Sequence, residues 1–257
     1  MLLGNKKNID LGTSSFKRLR TEENLFIDKT QFIEHFLNET NSVQLIVRQR
    51  RLGKSLNLDM LKCFLTDKED NTGLFERTRI KRSDVWSQVN SAPVFYFDFK
   101  NIKRENYIEE IWKQIVEYIY DYVDTDDLKG ASKFRFDNYF NSKGSDANGL
   151  LFLTRMVYET TGKRSYILID EYDKLLTDNY KHEDYESIKE YETSFLRAGL
   201  EGNEYLQKAL LTGVMRVSRE SMLSGLNNLV TYDLFSDKIY TQDFGLTEDE
   251  IDELQEI

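Results

Sequence analysis

Cysteine and histidine are scarce in this chain, and their scarcity excludes two common kinds of site. The 257 residues include one cysteine, Cys63, and two histidines, His35 and His182. A single cysteine rules out an internal disulfide framework and indicates a reducing compartment. Because a structural zinc site takes about four cysteine or histidine ligands, we expect no such centre, and we interpret both histidines as surface or helix-face residues.

Long apolar runs are missing as well. No run approaches the roughly 18 residues that a membrane span needs, and the first ten residues, MLLGNKKNID, lack the apolar core of a secretory signal. The composition, with 40% apolar and 31% charged residues, is typical of a soluble globular protein with one large or two modest domains. We therefore expect a cytoplasmic protein without a membrane partner.

Positive charge is in short supply over the chain as a whole. The formal net charge is −10, which does not indicate a general nucleic-acid-binding surface. One local exception is a cluster of four cations within seven residues with no acid among them. Its members are Arg48, Arg50, Arg51 and Lys54. A charge run is usually a solvated face, but this one coincides with a phosphate-loop motif.

That motif lies in Val43–Ser55, VQLIVRQRRLGKS, where an apolar strand pattern ends in a basic loop. The signature G-x-x-x-x-G-K-[ST] cradles phosphates on backbone N–H groups, with the lysine on the β/γ-phosphates and the hydroxyl on Mg²⁺. Here the final Gly53-Lys54-Ser55 is intact, but Arg48 replaces the first glycine. A helix pattern follows, which would add its N-terminus to an anion site. The alternative is a basic turn with a chance GKS.

A second motif supports the nucleotide interpretation. Tyr166–Asp173, YILIDEYD, is another apolar run, and it ends in the adjacent carboxylates Asp170 and Glu171. At the end of a buried strand, Asp170 is suited to hold Mg²⁺, and Glu171 is suited to orient the attacking water. Together the two motifs predict an ATP–Mg²⁺ site.

Alternating strand and helix patterns predict an α/β fold with a mainly parallel, five-stranded sheet flanked by helices. The polar groups at the strand ends would share one edge of that sheet. The candidate strands begin near Val43, Pro93, Ser165, Ala209 and Lys238, and their carboxyl ends carry the GKS loop, Asp98, Asp170 with Glu171, Thr212 and Thr241.

Helical periodicity predicts helices after Thr30, over Tyr107–Val123 and over Leu150–Thr160, and Asp28 or Thr30 could cap the first of them. Thr247 with Glu250 has the spacing of a capping box. Residues 66–91 and 124–148 read as loops with short helices, and residues 174–194 as a charged, partly mobile stretch. We expect an N-terminal segment (1–42) packed on an ATPase domain (43–245), followed by the start of a truncated helical region (246–257).

With these motifs in place, the chain resembles the AAA-ATPase-like family of P-loop proteins, whose longer members often carry a C-terminal PD-(D/E)XK nuclease-like region. The family's phosphate loop is commonly arginine-rich, of the type RPRRFGKT, so Arg48 fits it and Gln49 in place of proline is a mild departure. We expect the nuclease-like region to be absent here. The matching pieces span residues 12 to about 250 and read FIDKT, RQRRLGKS, LIDEYD, LTGVMRVSRESMLSGLNNL and FGLTEDE.

The resemblance implies an additional-strand (AAA/STAND-like) topology, with Pro93–Lys100 as the strand inserted between those that carry the two motifs. It implies a sensor role for Thr212 toward the γ-phosphate or water, and it leaves Phe26–Thr30 as a segment that closes over the adenine. The implied site is phosphate binding by Arg50, Arg51, Leu52, Gly53, Lys54 and Ser55, metal binding by Ser55 and Asp170, and catalysis by Glu171, Thr212, Arg216 and Arg219.

Several alternatives stay open at this point. Arg216 and Arg219 fit surface charges as well as γ-phosphate ligands, and an arginine acting on a neighbouring subunit would require self-association. A nucleotide-binding scaffold or switch with negligible turnover, acting through a partner, fits the same motifs. A nuclease using Asp98-x-Lys100 with Asp84 is the third hypothesis, but it leaves both nucleotide motifs unexplained.

Overall fold

The computed structural model describes residues 2–4, 12–214, 223, 226–235 and 237–256. The strands are β1 Leu2–Leu3, β2 Phe26–Ile27, β3 Val43–Val47, β4 Val94–Asp98, β5 Ser165–Asp170, β6 Leu206–Gly213 and β7 Leu229–Tyr232. The helices are α1 Phe16–Thr21, α2 Gln31–Asn38, α3 Lys54–Leu65, α4 Tyr107–Tyr122, α5 Gly130–Ser142, α6 Gly149–Thr161, α7 Lys174–Asn179, α8 Tyr185–Leu200 and α9 Glu248–Gln255. Among these helices, none combines the length and the apolar character that a membrane span requires.

The chain divides into two compact units. The first unit comprises residues 1–40, 46–94 and 232–257, and the second comprises residues 41–45 and 95–231. The first unit therefore joins the N-terminal segment, the loop before α3 and the C-terminal segment, which are far apart in the sequence.

A five-stranded parallel sheet with flanking helices belongs to the second unit, apart from the end residues of β3, β4 and β7. β5 and β6 pair in parallel, with Ile167 opposite Ala209 and Ile169 opposite Leu211. Every residue of β3 and β5 is buried, which is typical of parallel strands covered on both faces. The predicted α/β class and five-stranded parallel sheet are confirmed.

Two strand predictions are wrong. The sheet order is β4-β5-β6-β3-β7, so the strand between β3 and β5 is β6, and β4, predicted for that place, lies at an edge. The fifth strand is β7 rather than residues 238–241, which form bends and a turn. There the carboxylate of Asp237 accepts hydrogen bonds from the backbone N–H groups of Ile239, at 2.7 Å, and Tyr240, at 2.8 Å, which curls the chain.

The helices predicted from periodicity are confirmed, as α2, α4 and α6, and so is the capping box at the start of α9. The charged stretch over 174–194 is not an irregular segment but folds into α7 and most of α8. Acidic residues mask the spacing of Ile188, Phe195 and Leu196, which belong to the buried face of α8. A 13-residue helix, α5, likewise occupies the middle of the predicted loop over 124–148.

The FIDKT segment, residues 26–30, is hydrogen-bonded to the chain at Arg79 and Ile80, within the first unit. Asp28 accepts hydrogen bonds from the backbone N–H of Thr30, at 3.0 Å, and of Arg79, at 2.8 Å. The hydroxyl of Thr30 accepts one from the N–H of Ile80, at 3.1 Å. Both side chains are buried, and Thr30 makes no side-chain cap of α2. Instead of capping α2, Asp28 and Thr30 bind the backbone at the start of the short 3-10 helix Arg79–Arg82.

Candidate functional site

The loop between β3 and α3, residues 48–53, belongs to the first unit and contains the predicted phosphate-binding motif. Its backbone includes two left-handed residues, Arg51 with a φ of 68° and Gly53 with a φ of 80°. Gly53 is the N-cap of α3, and its carbonyl accepts the N–H of Asn57 at 2.9 Å. A helix that starts in this way directs backbone N–H groups and the positive end of its dipole toward an anion.

Lys54 lies within the curve of this loop. Its side chain is buried, and its Nζ donates to the carbonyl oxygens of Arg48 and Gln49, at 3.0 Å each. The ammonium group is therefore already held against the loop backbone. The rest of the predicted phosphate-binding set follows the same loop, with Arg50, Arg51 and Gly53 exposed and Leu52 and Ser55 half-buried.

Arg48, at the position of the missing glycine, is an anchor of the loop. It is 2% exposed and forms an ion pair with the buried Asp237. Its guanidinium also donates to the carbonyl oxygen of Tyr232, at 3.0 Å, and stacks over the ring of Phe244, 5.4 Å from the centroid. A side chain that is so fully engaged shapes the loop, whereas Arg50 and Arg51 present their side chains to solvent.

Asp170, the last residue of β5, belongs to the second unit and begins the predicted acid pair. It is 2% exposed, and its Oδ1 accepts hydrogen bonds from the Thr212 hydroxyl, at 2.5 Å, and from the Glu171 N–H, at 3.1 Å. The Tyr96 hydroxyl lies 3.4 Å from Oδ2. These contacts fix the orientation of the Asp170 carboxylate, whose oxygens are the kind of ligand that a hard cation prefers.

Glu171 adopts a left-handed backbone conformation, with a φ of 51°. Its carbonyl accepts the N–H of Lys174, at 2.9 Å, and its side chain is half-buried. A non-glycine residue in this region carries strain of roughly 1 kcal/mol or more, and such residues concentrate at functional sites. Glu171 thus leaves the extended backbone of β5, and it is less buried than Asp170.

Thr212, near the end of β6, is fully buried, and its hydroxyl donates a hydrogen bond to Asp170. Its carbonyl accepts the N–H of Tyr172 at 3.0 Å, which links the ends of β6 and β5. The structure thus brings Asp170, Glu171 and Thr212 together. Arg216 and Arg219, the other predicted catalytic residues, lie outside the described residues.

Comparison with known proteins supplies the family. A family model described as Predicted AAA-ATPase matches residues 10–223, which is most of the sequence. This chain belongs to the AAA-ATPase-like family. The match includes the loop before α3, the acid pair after β5 and the end of β6, so the resemblance read from those motifs is confirmed.

One relative comes from Azotobacter chroococcum mcd 1 and is named an uncharacterized protein in the vnfD 5′ region. It is 26% identical over 250 residues, which cover 96% of this chain and 44% of the relative. The chain thus spans less than half of the length of the relative that it matches.

Two further acids, Asp173 and Asp98, lie near the carboxyl ends of strands of the second unit. Asp173, the last residue of YILIDEYD, is buried, and its Oδ2 accepts the N–H of Val214 at 3.1 Å, so it holds the chain just after β6. Asp98, at the end of β4, accepts the N–H of Lys100 at 2.8 Å. Partial burial and the nearby Asp170 carboxylate raise the pKa of Asp98. The sequence signal for Asp98 is an acid as the last residue of a strand, and that for Asp173 is an acid three residues after one.

Glu192 is the acid that sequence reasoning missed entirely. It occupies the buried face of α8, it has no exposed surface, and neither carboxylate oxygen has a hydrogen-bond partner among the described residues. Burial, and secondarily the charge of Asp173, raise the pKa of Glu192 well above its ordinary value. The sequence could not indicate that Glu192 is buried, because the buried face of α8 is known only from the structure.

Replacing Glu192 with glutamine is expected to stabilise the protein increasingly as the pH rises. The folded state keeps a proton on Glu192 that the unfolded state loses above the ordinary pKa of 4.5. Between pH 4.5 and the higher pKa of the folded state, the unfolding free energy of the parent therefore falls by up to about 1.4 kcal/mol per pH unit. Urea unfolding at pH 5, 6, 7 and 8 measures this. Glu190→Gln, exposed on the same helix, is the control. A difference between Glu192→Gln and parent that is constant with pH would contradict the prediction.

Proposed function

We propose that this chain binds ATP with Mg²⁺ and hydrolyses the nucleotide. The observation that carries the proposal is the position of Lys54, whose buried ammonium rests on the Arg48 and Gln49 carbonyls at the start of α3. A cation held at a helix N-terminus, in a loop with left-handed residues at Arg51 and Gly53, suits a polyphosphate. Membership of the AAA-ATPase-like family supports the same function.

In the proposed site the loop backbone binds the phosphates and Lys54 neutralises charge on the β- and γ-phosphates. Ser55 and Asp170 hold Mg²⁺, which supplies further charge neutralisation when it is bound. Hydroxyl and carboxylate oxygens are the ligands that this hard cation prefers, and the hydrogen bonds from Thr212 and Glu171 keep Asp170 oriented. The residues present therefore fit the metal.

Glu171 orients the water that attacks the γ-phosphate, and Thr212 acts as the sensor residue beside it. Arg216 or Arg219 contacts the γ-phosphate, in the same chain or in a neighbouring one. The order β4-β5-β6-β3-β7 supports the additional-strand topology of AAA and STAND ATPases, with β6 as the inserted strand.

The direct test compares ATP binding and phosphate release for the purified chain. We expect ATP to bind and phosphate to be released in the presence of Mg²⁺. Excess EDTA should abolish phosphate release and weaken ATP binding. Binding without release would favour the switch that acts through a partner. Absence of binding would reject both proposals.

Replacing Asp170 with asparagine is expected to remove the Mg²⁺ dependence of ATP binding and to lower turnover at least about 100-fold, since the metal loses its charged ligand. Binding titrations with Mg²⁺ and with EDTA, together with phosphate release, measure the two effects. Asp98→Asn, an equivalent change at the end of β4, is the matched control. Equal losses in both variants would show that Asp170 has no special part in metal binding.

A further inference from the structure

The C-terminal strap, defined here as residues 237–250, contacts the phosphate loop within the first unit. Asp237 forms the buried ion pair with Arg48. The N–H of Gly245 donates to the carbonyl oxygen of Leu52, at 3.2 Å. These contacts lie near the two ends of the loop, so the strap holds the loop from residue 48 to residue 52.

The strap also holds the helix that follows the loop. The side-chain amide of Asn57, on the first turns of α3, donates to the carbonyl oxygen of Asp243 at 2.9 Å. Gly245 has a φ of 76°, and a Cβ at this position would lie 3.3 Å from the Leu52 side chain. The left-handed backbone at Gly245 therefore favours glycine at this contact between the strap and the loop.

Salt bridges dock the strap to the rest of the first unit. His35 on α2 lies 2.7 Å from the Asp243 carboxylate. Lys29 donates to Glu250, at 2.7 Å, and to the carbonyl oxygen of Gln242, at 2.6 Å. Glu250 is also the acid of the capping box that starts α9. The position of α9 and the shape of the phosphate loop thus depend on one continuous segment.

Arg48 connects the strap to Lys54 directly. Its side chain is fixed by Asp237, and its carbonyl oxygen is one of the two that receive the Lys54 ammonium. In this loop the usual first glycine is absent, so the backbone conformation at Arg48 is set through its side chain. A substitution at Asp237 would therefore alter the position of Lys54 through Arg48 alone.

We propose that Asp237 is a positioning residue for the phosphate loop and that docking of the strap is coupled to nucleotide binding. The coupling rests on the proposed function, whereas the positioning of the loop does not. Because coupling between two sites is reciprocal, a strap that improves ATP binding is itself held more firmly when ATP is bound. The nucleotide state is thereby transmitted to α9.

Asp237→Asn tests the positioning without nucleotide. Asparagine keeps an oxygen for the turn at Ile239 and Tyr240 but loses the charge that pairs with Arg48. We expect amide hydrogen exchange over residues 48–55 to become at least about tenfold faster. Asp59→Asn is the matched control, since Asp59 lies on α3 and binds the N–H of Phe16, away from the strap. Unchanged exchange in Asp237→Asn would overturn the positioning role.

ATP titration of the same variants tests the coupling. We expect Asp237→Asn to weaken ATP binding by between about fivefold and 150-fold, Asp59→Asn to bind like the parent, and Asp237→Glu to recover part of the affinity. In the parent, ATP should slow exchange over residues 237–250, and Asp237→Asn should lose that slowing. A parent strap that exchanges at the same rate with and without bound ATP would overturn the coupling.

The two failures can be told apart. If the parent binds no ATP, the proposed function and the coupling fall together, while exchange over residues 48–55 still decides the positioning role. If Asp237→Asn does not fold, Asn57→Ala removes only the hydrogen bond to the Asp243 carbonyl and should speed exchange over residues 48–55 and 237–250. Parent-like exchange in that variant would overturn the inference.

Discussion

Replacing Lys54 with alanine is expected to weaken ATP binding at least about 100-fold. The Lys54 ammonium is buried and held at the Arg48 and Gln49 carbonyls, where the proposed β- and γ-phosphates would compete for it. A hydrogen bond involving a charged group contributes roughly 1.5–3 kcal/mol, and the loss of two such bonds corresponds to at least about 100-fold in Kd. Titration calorimetry with ATP and Mg²⁺ measures the effect.

Lys62→Ala is the matched control for this prediction, because Lys62 lies in the last turn of the same helix, α3. Circular dichroism is needed beside the titration, since removing a buried ammonium leaves two loop carbonyls without that donor. Lys54→Met keeps the apolar stem and isolates the charge. If Lys54→Met bound ATP with the affinity of the parent, the loop would not be the phosphate site.

Replacing Glu171 with glutamine is expected to lower the rate of ATP hydrolysis at least about 100-fold and to change the ATP Kd by less than about threefold. A positioned acid or base contributes about 100-fold to 10,000-fold to catalysis, and glutamine keeps the size of the side chain without its charge. The left-handed backbone at Glu171 and its hydrogen bond to Lys174 do not depend on that charge, so the turn should persist.

Phosphate release at saturating ATP, together with binding titrations, separates the two quantities. Glu186→Gln, an exposed change at the start of α8, controls for a general effect of losing one acid. Hydrolysis by Glu171→Gln at the parent rate would exclude Glu171 as the catalytic glutamate. A large loss of ATP affinity would instead assign Glu171 to binding.

Local patterns in the sequence determined much of this protein. Apolar runs marked β3, β4 and β5, and helical spacing marked α2, α4 and α6, because burial of one face imposes a period that short stretches reveal. The Thr247–Glu250 capping box could be predicted for the same reason, since its partners are three residues apart. The resemblance to the family rested on five matching segments, two of which contain the motifs at residues 53–55 and 170–171.

Elements whose pattern is diluted could not be predicted in this way. In α8 charged residues lie between Ile188 and the buried pair Phe195 and Leu196, and an acidic residue at a core position, Glu192, interrupts the apolar face. The turn at Asp237 replaces a predicted strand because one carboxylate captures two backbone N–H groups. A hydrogen-bond competitor of this kind overrides strand propensity locally.

The sequence by itself determined the chemistry of the candidate site: a GKS loop after one buried strand and an acid pair after another. Only the tertiary structure decided the order of the strands, because neighbours in a sheet are chosen by packing over long sequence distances. It also decided the part of Arg48. Asp237 lies 189 residues further along the chain, and no local pattern connects the two. Their pairing makes Arg48 an anchor of the loop, since a buried guanidinium requires a charged partner.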